Sequence, residues 1–170
     1  AWILKYGDQK THDFYNDFFQ FLEPKYQAHN SVVLNSDNAY VSGVTLSMRN
    51  KGQAVYKNVS TNGNQNMYFK YSPTKHKTVL TFRKNSPKGP LLGSIQLNEE
   101  GNPQFHNSKN QYAKLKIKDT QEPFDLYIEA RNPKLTTDTK NGYRYNDIAV
   151  SLHWFSFTPE LSGKAKQGFY

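Results

Sequence analysis

The side chains that could carry acid–base, nucleophilic or metal chemistry are scattered along the chain. The five histidines form no i, i+4 pair of the kind that binds zinc on a hydrolase helix (His12, His29, His76, His106 and His153). The chain has no cysteine, no Gly-x-Ser-x-Gly turn and no glycine-rich loop of the kind that binds phosphate. Nucleophilic, zinc-dependent and phosphoryl-transfer catalysis are therefore not indicated.

Glycoside hydrolysis by carboxylates would need two acids on facing elements. Glu99 and Glu100 are adjacent in a predicted turn, where acidic side chains are usually solvated. Glu129 falls on one face of a predicted strand, but no second acid is predicted to face it. The sequence therefore predicts a protein that is not itself an enzyme, although it could be an accessory domain of a glycoside hydrolase or lyase.

The elements that would position a binding site are predicted to be mostly β-strands. The most regular one covers residues 147–157, in which Ile148, Val150, Leu152 and Trp154 alternate with a mixed set of side chains. We expect it to pair with a segment far upstream and to close a sandwich. Further strands are predicted at residues 32–34, 40–48, 53–59, 66–72, 78–83, 91–97, 112–118 and 124–130. This series predicts an all-β fold, a β-sandwich or jelly roll.

A helical pattern precedes the strands. Between residues 8 and 23, Phe14, Phe18 and Phe21 recur at helical spacing, and Pro24 would end the helix. This helix is either a brace on one edge of the sandwich or the tail of a preceding domain. We therefore divide the chain into a helical segment, residues 1–22, and a β-sandwich domain, residues 23–170.

The positive charge of the chain is unevenly distributed. The net charge is +8, and residues 38–98 contain no acid but nine basic side chains, namely Arg49, Lys51, Lys57, Lys70, Lys75, Lys77, Arg83, Lys84 and Lys88. Such a stretch presents a positive field that favours anionic partners, and a lysine-rich face that serves solubility is the other explanation. No apolar run approaches the roughly 18 residues of a membrane span, so no membrane partner is predicted.

Five short segments occur in an order that is known from one group of binding modules. They cover residues 52–59, 69–72, 88–95, 124–128 and 152–157. Together they resemble the family 6 carbohydrate-binding modules and their relatives in families 35 and 36, over roughly residues 21–157. The resemblance implies a β-jelly roll appended to a polysaccharide-degrading enzyme. It also implies a glycan site in a cleft between loops at one end, sometimes with a second site on the concave sheet.

The resemblance further implies which residues would bind the ligand, since flat rings bind the apolar faces of a sugar and amides bind its hydroxyls. The family's first platform aromatic aligns with Met48, its second lies near Phe105, and its polar contact aligns with Ser151 and His153. The long loop near residue 140 offers a substitute platform. The predicted ligand-binding residues are Phe105, Tyr143, Tyr145, Asn146 and Asp147. A structural calcium ion, common in these modules, would take Glu23 as a ligand.

The sequence is compatible with three functions. The first is a secreted or cell-surface carbohydrate-binding module that targets an attached glycan-active enzyme to a polysaccharide, an anionic one being favoured by the charge. The second is a minor pilin or pseudopilin subunit without its membrane helix, in which residues 6–22 continue an upstream helix. The third is nucleic-acid binding, suggested by the net charge and by aromatics interleaved with lysine in residues 67–83.

Overall fold

The computed structural model describes residues 25–72, 77–97, 111–118, 122–135 and 148–158. These residues form eleven β-strands and one short 3-10 turn, Ala28–Asn30. The strands are β1 Lys25–Gln27, β2 Val32–Val33, β3 Ala39–Ser42, β4 Thr45–Met48, β5 Gln53–Val59, β6 Asn66–Ser72, β7 Val79–Lys84, β8 Leu91–Gln96, β9 Gln111–Lys116, β10 Phe124–Arg131 and β11 Val150–Phe157.

The strands form two antiparallel sheets. The six-stranded sheet has the order β3-β4-β11-β6-β9, and β1 pairs additionally with β11. The five-stranded sheet has the order β2-β5-β10-β7-β8. The prediction that the closing strand pairs far upstream is confirmed, because β11 lies between β4 and β6 and also pairs with β1. The all-β, two-sheet sandwich is confirmed as well.

The core lies between the inner faces of the two sheets. Strand β6 buries Phe69 from one side, and β7 buries Phe82 from the other, with their ring centroids 5.8 Å apart. Strict alternation in β10 places Leu126 and Ile128 in this core and turns the residues between them outward. Burying each such side chain stabilises the fold by about 1.5–3 kcal/mol, so the sandwich is held by packing without disulfides.

The closing strand departs from the predicted alternation. Its register against β6 shifts between Leu152 and Trp154, so Phe155 and Phe157 join the core in the positions that follow. Trp154 pairs with Lys70 and lies on the opposite side of the strand from Phe155. The prediction that Ile148, Val150, Leu152 and Trp154 form one apolar face is therefore wrong beyond Leu152, because a β-bulge reverses the later side chains.

The predicted strand at residues 40–48 is two strands. Ala39–Ser42 and Thr45–Met48 pair as a hairpin, whose loop consists of Gly43 and Val44. Gly43 has a φ of +58°, a conformation that glycine adopts without strain at the first loop position of a two-residue hairpin. The prediction of a single strand is wrong, because Gly43 and Val44 form the loop of a hairpin.

The predicted helix at residues 8–23, and with it the boundary at residue 22, lies outside the described residues. The described chain begins with β1, which pairs with β11 through Tyr26 and Phe155. Among the residues that the structure describes, no helix has the length and apolar character needed to cross a membrane.

Candidate functional site

A depression opens on the outer face of the five-stranded sheet. It is shallow, with a volume of about 20 Å³, and open to solvent, and strands β5, β7 and β10 contribute most of its surface. The alternation of β10 explains why polar groups gather here, because the residues between its buried positions must point outward. The depression is lined by Gln53, Thr81, Arg83, Pro87, Tyr127, Ile128 and Glu129.

Strand register places the outward side chains in two rows across the sheet. Tyr127 stands opposite Val55 on one side and Arg83 on the other. Glu129 stands opposite Gln53 on one side and Thr81 on the other. Because neighbouring strands lie about 4.8 Å apart, each row spans about 10 Å. Among the residues that the structure describes, the half-buried ring of Tyr127 is the one aromatic group in the lining of this depression.

The carboxylate of Glu129 is held by two donors. Nε2 of Gln53 donates to its Oε2 at 2.7 Å, and Nε of Arg131 donates to its Oε1 at 2.8 Å. Burial alone would raise the pKa of Glu129, but the hydrogen bonds from Arg131 and Gln53, with the positive charges of Arg131 and Arg83, outweigh it and lower the pKa. The group is therefore an oriented anion at neutral pH. Its remaining lone pairs can accept hydrogen bonds from hydroxyl groups.

Arg83 is fixed by the turn between β7 and β8. Its Nη1 donates to the carbonyl oxygen of Gly89 at 3.1 Å. A Cβ atom at Gly89 would meet the carbonyl oxygen of Lys84 at 1.9 Å, so this turn requires glycine. Arg83 makes no ion pair within the described part of the chain. The guanidinium of Arg83 lines the depression.

A second carboxylate lies on the same strand as Glu129. Asp125 accepts a hydrogen bond from the backbone N–H of Asn58 at 3.1 Å and from Nζ of Lys57 at 3.2 Å. The N–H of Asn58 is the main reason that the pKa of Asp125 is lowered, and the Lys57 ammonium adds to the effect. Both acids of β10 are thus ionised, and each has a cationic partner.

Of the positions taken over from the resemblance, the structure describes Met48, Ser151 and His153. Met48 is fully buried in the core, so it cannot present a surface to a ligand. The Oγ atoms of Ser151 and Ser47 are 3.0 Å apart, and Nε2 of His153 lies 2.8 Å from Oγ of Ser72. Burial and then the charge of Lys70 lower the pKa of His153 to about 4, so its imidazole is neutral at neutral pH.

The predicted ligand-binding residues Phe105, Tyr143, Tyr145, Asn146 and Asp147 lie outside the described residues. The structure does describe the chain on either side of residues 136–147. Nδ2 of Asn132 donates to Oγ1 of Thr78 at 3.0 Å, and Oγ1 of Thr78 donates to the carbonyl oxygen of Ala149 at 3.1 Å. All three residues are buried. This network fixes the two points between which that segment runs.

The predicted calcium ligand Glu23 also lies outside the described residues. In the ranges that the structure covers, no three histidine, aspartate or glutamate side chains are grouped so that they could hold a metal ion. The calcium ion stays a prediction.

Sequence reasoning did not select the depression. The sequence pattern predicts Glu129 as an isolated acid on a sheet face, and it does not select Tyr127, Gln53 or Arg83. The outward positions of β10, Asp125, Tyr127 and Glu129, were the available signal, since they alternate with the buried residues. Their partners come from strands far away in the sequence, and only the register identifies them.

Solved structures with the same arrangement of strands are known. A family 6 carbohydrate-binding module whose binding sub-sites were dissected by crystallography and calorimetry has a TM-score of 0.59 and 15% identity, over 80% of this chain and 93% of its own. A module from Clostridium stercorarium in complex with cellobiose has a TM-score of 0.56 and 19% identity, over 80% and 93% of the two chains. This chain has the fold of the family 6 modules. A further module, from Clostridium cellulolyticum in complex with xylose, has a TM-score of 0.56 and 18% identity, over 79% and 95%.

The likeness to family 6 modules is one of fold. The sequence matches no family model and no curated protein. The resemblance drawn from five short segments is confirmed at the level of architecture, since the structures of family 6 modules align with four fifths of the chain.

Proposed function

We propose that the protein is a non-catalytic carbohydrate-binding module and that the depression on the five-stranded sheet is its sugar-binding site. The observation that carries the proposal is the grouping of one aromatic ring, Tyr127, with Gln53, Arg83 and Glu129 on an exposed sheet face. A pyranose has apolar C–H faces and a polar rim. This depression offers a ring for the face and an amide, a carboxylate and a guanidinium for the rim.

The fold supports this proposal. Two modules with the same fold were solved in complex with cellobiose and with xylose. The fold likeness favours a carbohydrate-binding module over the pilin-like subunit and over nucleic-acid binding. We infer that the module is extracellular, attached to a glycan-active enzyme, and binds a polysaccharide for which its positive charge favours an anionic chain.

The electrostatics of the site support binding without catalysis. A glycosidase needs one carboxylic acid that stays protonated near neutral pH, which requires a raised pKa. The pKa values of Asp125 and Glu129 are both lowered, the first by the N–H of Asn58 and the second by hydrogen bonds that outweigh burial. Neither acid on this face is suited to protonate a leaving group.

Calorimetry with a panel of neutral and anionic oligosaccharides tests the proposal. We expect at least one oligosaccharide to bind and Tyr127→Ala to weaken its binding by about tenfold or more, since a ring that stacks on a ligand is worth roughly 1–3 kcal/mol. Tyr127→Phe, which retains the ring, should bind within about threefold of wild type. Unchanged affinity in Tyr127→Ala would exclude the depression as the site, and binding to no member of the panel would count against the function.

A further inference from the structure

A row of lysines lies on the opposite side of the molecule from the depression. Lys114 and Lys116 are outward residues of β9, and Lys118 is the second residue after the strand. They alternate with Leu115 and Ile117, which are buried, so all three lysines are on the same outer side of the six-stranded sheet. We call these three residues the lysine row. Along a strand their Cα atoms are about 6.8 Å apart, so the row extends over about 14 Å.

The neighbouring strand adds an aromatic ring and another cation beside the lysine row. The register of β6 against β9 places Tyr68 opposite Lys114 and Asn66 opposite Lys116. The Nζ atom of Lys114 lies 5.7 Å from the centre of the Tyr68 ring. Lys70 is two residues further along β6, on the same side as Tyr68, and is half-buried. The lysine row, Lys70 and Tyr68 therefore form a surface with four cations and one ring.

No described carboxylate neutralises this surface. The acids in the described ranges are Asp37, Glu122, Asp125 and Glu129, and none of them belongs to a strand of the six-stranded sheet. Both ion pairs in those ranges involve Asp125 or Glu129, on the five-stranded sheet. Within the described ranges the two outer faces thus differ, because one has ion pairs beside a depression and the other has a row of cations that no described acid pairs with.

We propose that the lysine row binds the sulfate or carboxylate groups of an extended anionic polysaccharide. The proposal rests on the proposed function for the class of ligand, but it concerns the opposite sheet. Flexible ammonium groups suit sulfate and carboxylate groups without requiring a fixed geometry. The ring of Tyr68 adds an apolar surface for a sugar face. A straight row about 14 Å long suits a polymer better than a single sugar.

The lysines have a competing structural explanation. Because β9 is an edge strand, its lysines could serve to prevent the edge from pairing with another chain. The test therefore compares Lys114→Gln/Lys116→Gln/Lys118→Gln with a control of equal charge, Lys51→Gln/Lys77→Gln/Lys134→Gln. The control lysines are exposed and lie outside β9 and the depression. Each protein is titrated at low and high salt with dextran sulfate, polygalacturonate, unsulfated dextran and single-stranded DNA. Thermal unfolding is followed in parallel to separate binding from stability.

We expect wild type to bind dextran sulfate or polygalacturonate more tightly than DNA and unsulfated dextran, with an affinity that falls as salt is added. The variant of the lysine row should bind about tenfold more weakly than wild type at low salt, because it loses three exposed ion pairs with the ligand. The control variant should lose less than about threefold. Equal losses in the two triple variants would overturn the proposal, because only net charge would then matter. Tighter binding to DNA would overturn the class of ligand.

The outcome is distinguishable from failure of the proposed function. Tyr127→Ala leaves the lysine row intact and is expected to keep its affinity for dextran sulfate or polygalacturonate. If Tyr127→Ala alone abolishes polyanion binding, the anionic chain binds at the depression and the proposal for the lysine row is wrong. If the lysine row binds polyanions while no oligosaccharide binds at the depression, the proposed sugar site is wrong and the proposal for the lysine row is supported.

Discussion

The Nε2 atom of Gln53 lies 2.7 Å from Oε2 of Glu129, although the two residues are 76 positions apart in the sequence. Pairing of β5 with β10 creates this contact, and Arg131 completes it from the other carboxylate oxygen. The carboxylate is therefore oriented before any ligand arrives. An oriented acceptor beside an aromatic ring is the feature on which the proposed sugar site depends.

Glu129→Gln should weaken oligosaccharide binding by about tenfold, because hydrogen bonds to a charged group contribute roughly 1.5–3 kcal/mol and the amide keeps only part of them. Calorimetry measures the change. Glu122→Gln is the matched control, since Glu122 is exposed and lies before β10. Equal affinities of Glu129→Gln and wild type would show that this carboxylate does not contact the ligand.

Protonation of His153 should destabilise the fold as the pH falls. Its pKa is about 4 in the folded state, through burial and the charge of Lys70, and about 6.5 when unfolded. The neutral form is favoured on folding, so this contribution is fully present above pH 6.5 and is lost progressively between pH 6.5 and pH 4. For a partly exposed group we expect a loss of roughly 1–2 kcal/mol over that range.

His153→Gln tests this pH effect, because glutamine cannot be protonated and can still reach Oγ of Ser72. Urea unfolding at pH 7 and at pH 4.5 gives the free energy of unfolding of both proteins. Relative to wild type, the free energy of unfolding of the variant should be higher at pH 4.5 than at pH 7. A difference that does not change with pH would contradict the role assigned to His153.

Thr78→Val should destabilise the fold by about 1–3 kcal/mol, since it removes the hydroxyl that joins Asn132 to Ala149 and leaves buried polar groups unpaired. Valine keeps the shape of threonine, so packing should change little. Thr81→Val is the control, because Thr81 is half-buried on the outer face of β7. Chemical denaturation gives the free energy of unfolding of both variants. An equal decrease in the two would show that the buried hydrogen bonds of Thr78 have no special role.

The calcium prediction has a direct thermal test. A structural ion present at about a hundredfold excess over its dissociation constant would stabilise the fold by about 2.7 kcal/mol. Its removal by a chelator should then lower the melting temperature by about 5 °C or more, and calcium but not magnesium should restore it. An unchanged melting temperature after dialysis against the chelator would exclude the ion.

Part of the fold was predictable because β6, β7 and β10 alternate along all or most of their length. Strand β10 is the clearest case, since Leu126 and Ile128 are buried and Tyr127 and Glu129 face outward as the pattern requires. The β-bulge after Leu152 was not predictable, because a change of register leaves no mark in an apolar segment. Gly43 could have been recognised as a hairpin glycine.

The candidate site was less predictable than the fold. Sequence reasoning favoured loop aromatics such as Tyr143, which lie outside the described residues. The depression instead depends on Gln53, Arg83 and Glu129, which come from three strands of the five-stranded sheet. Hydrophobic periodicity shows which residues of a strand face outward, but it does not show which strand is adjacent.

The most direct test of the sugar site is a titration of the isotope-labelled protein with its tightest-binding oligosaccharide, followed by NMR chemical-shift changes. The account predicts that the largest changes cluster at Gln53, Thr81, Arg83, Tyr127 and Glu129, on the outer face of the five-stranded sheet. Largest changes around Asn132 and Ala149, with the sheet face unaffected, would contradict the account and place the site at the end of the sandwich.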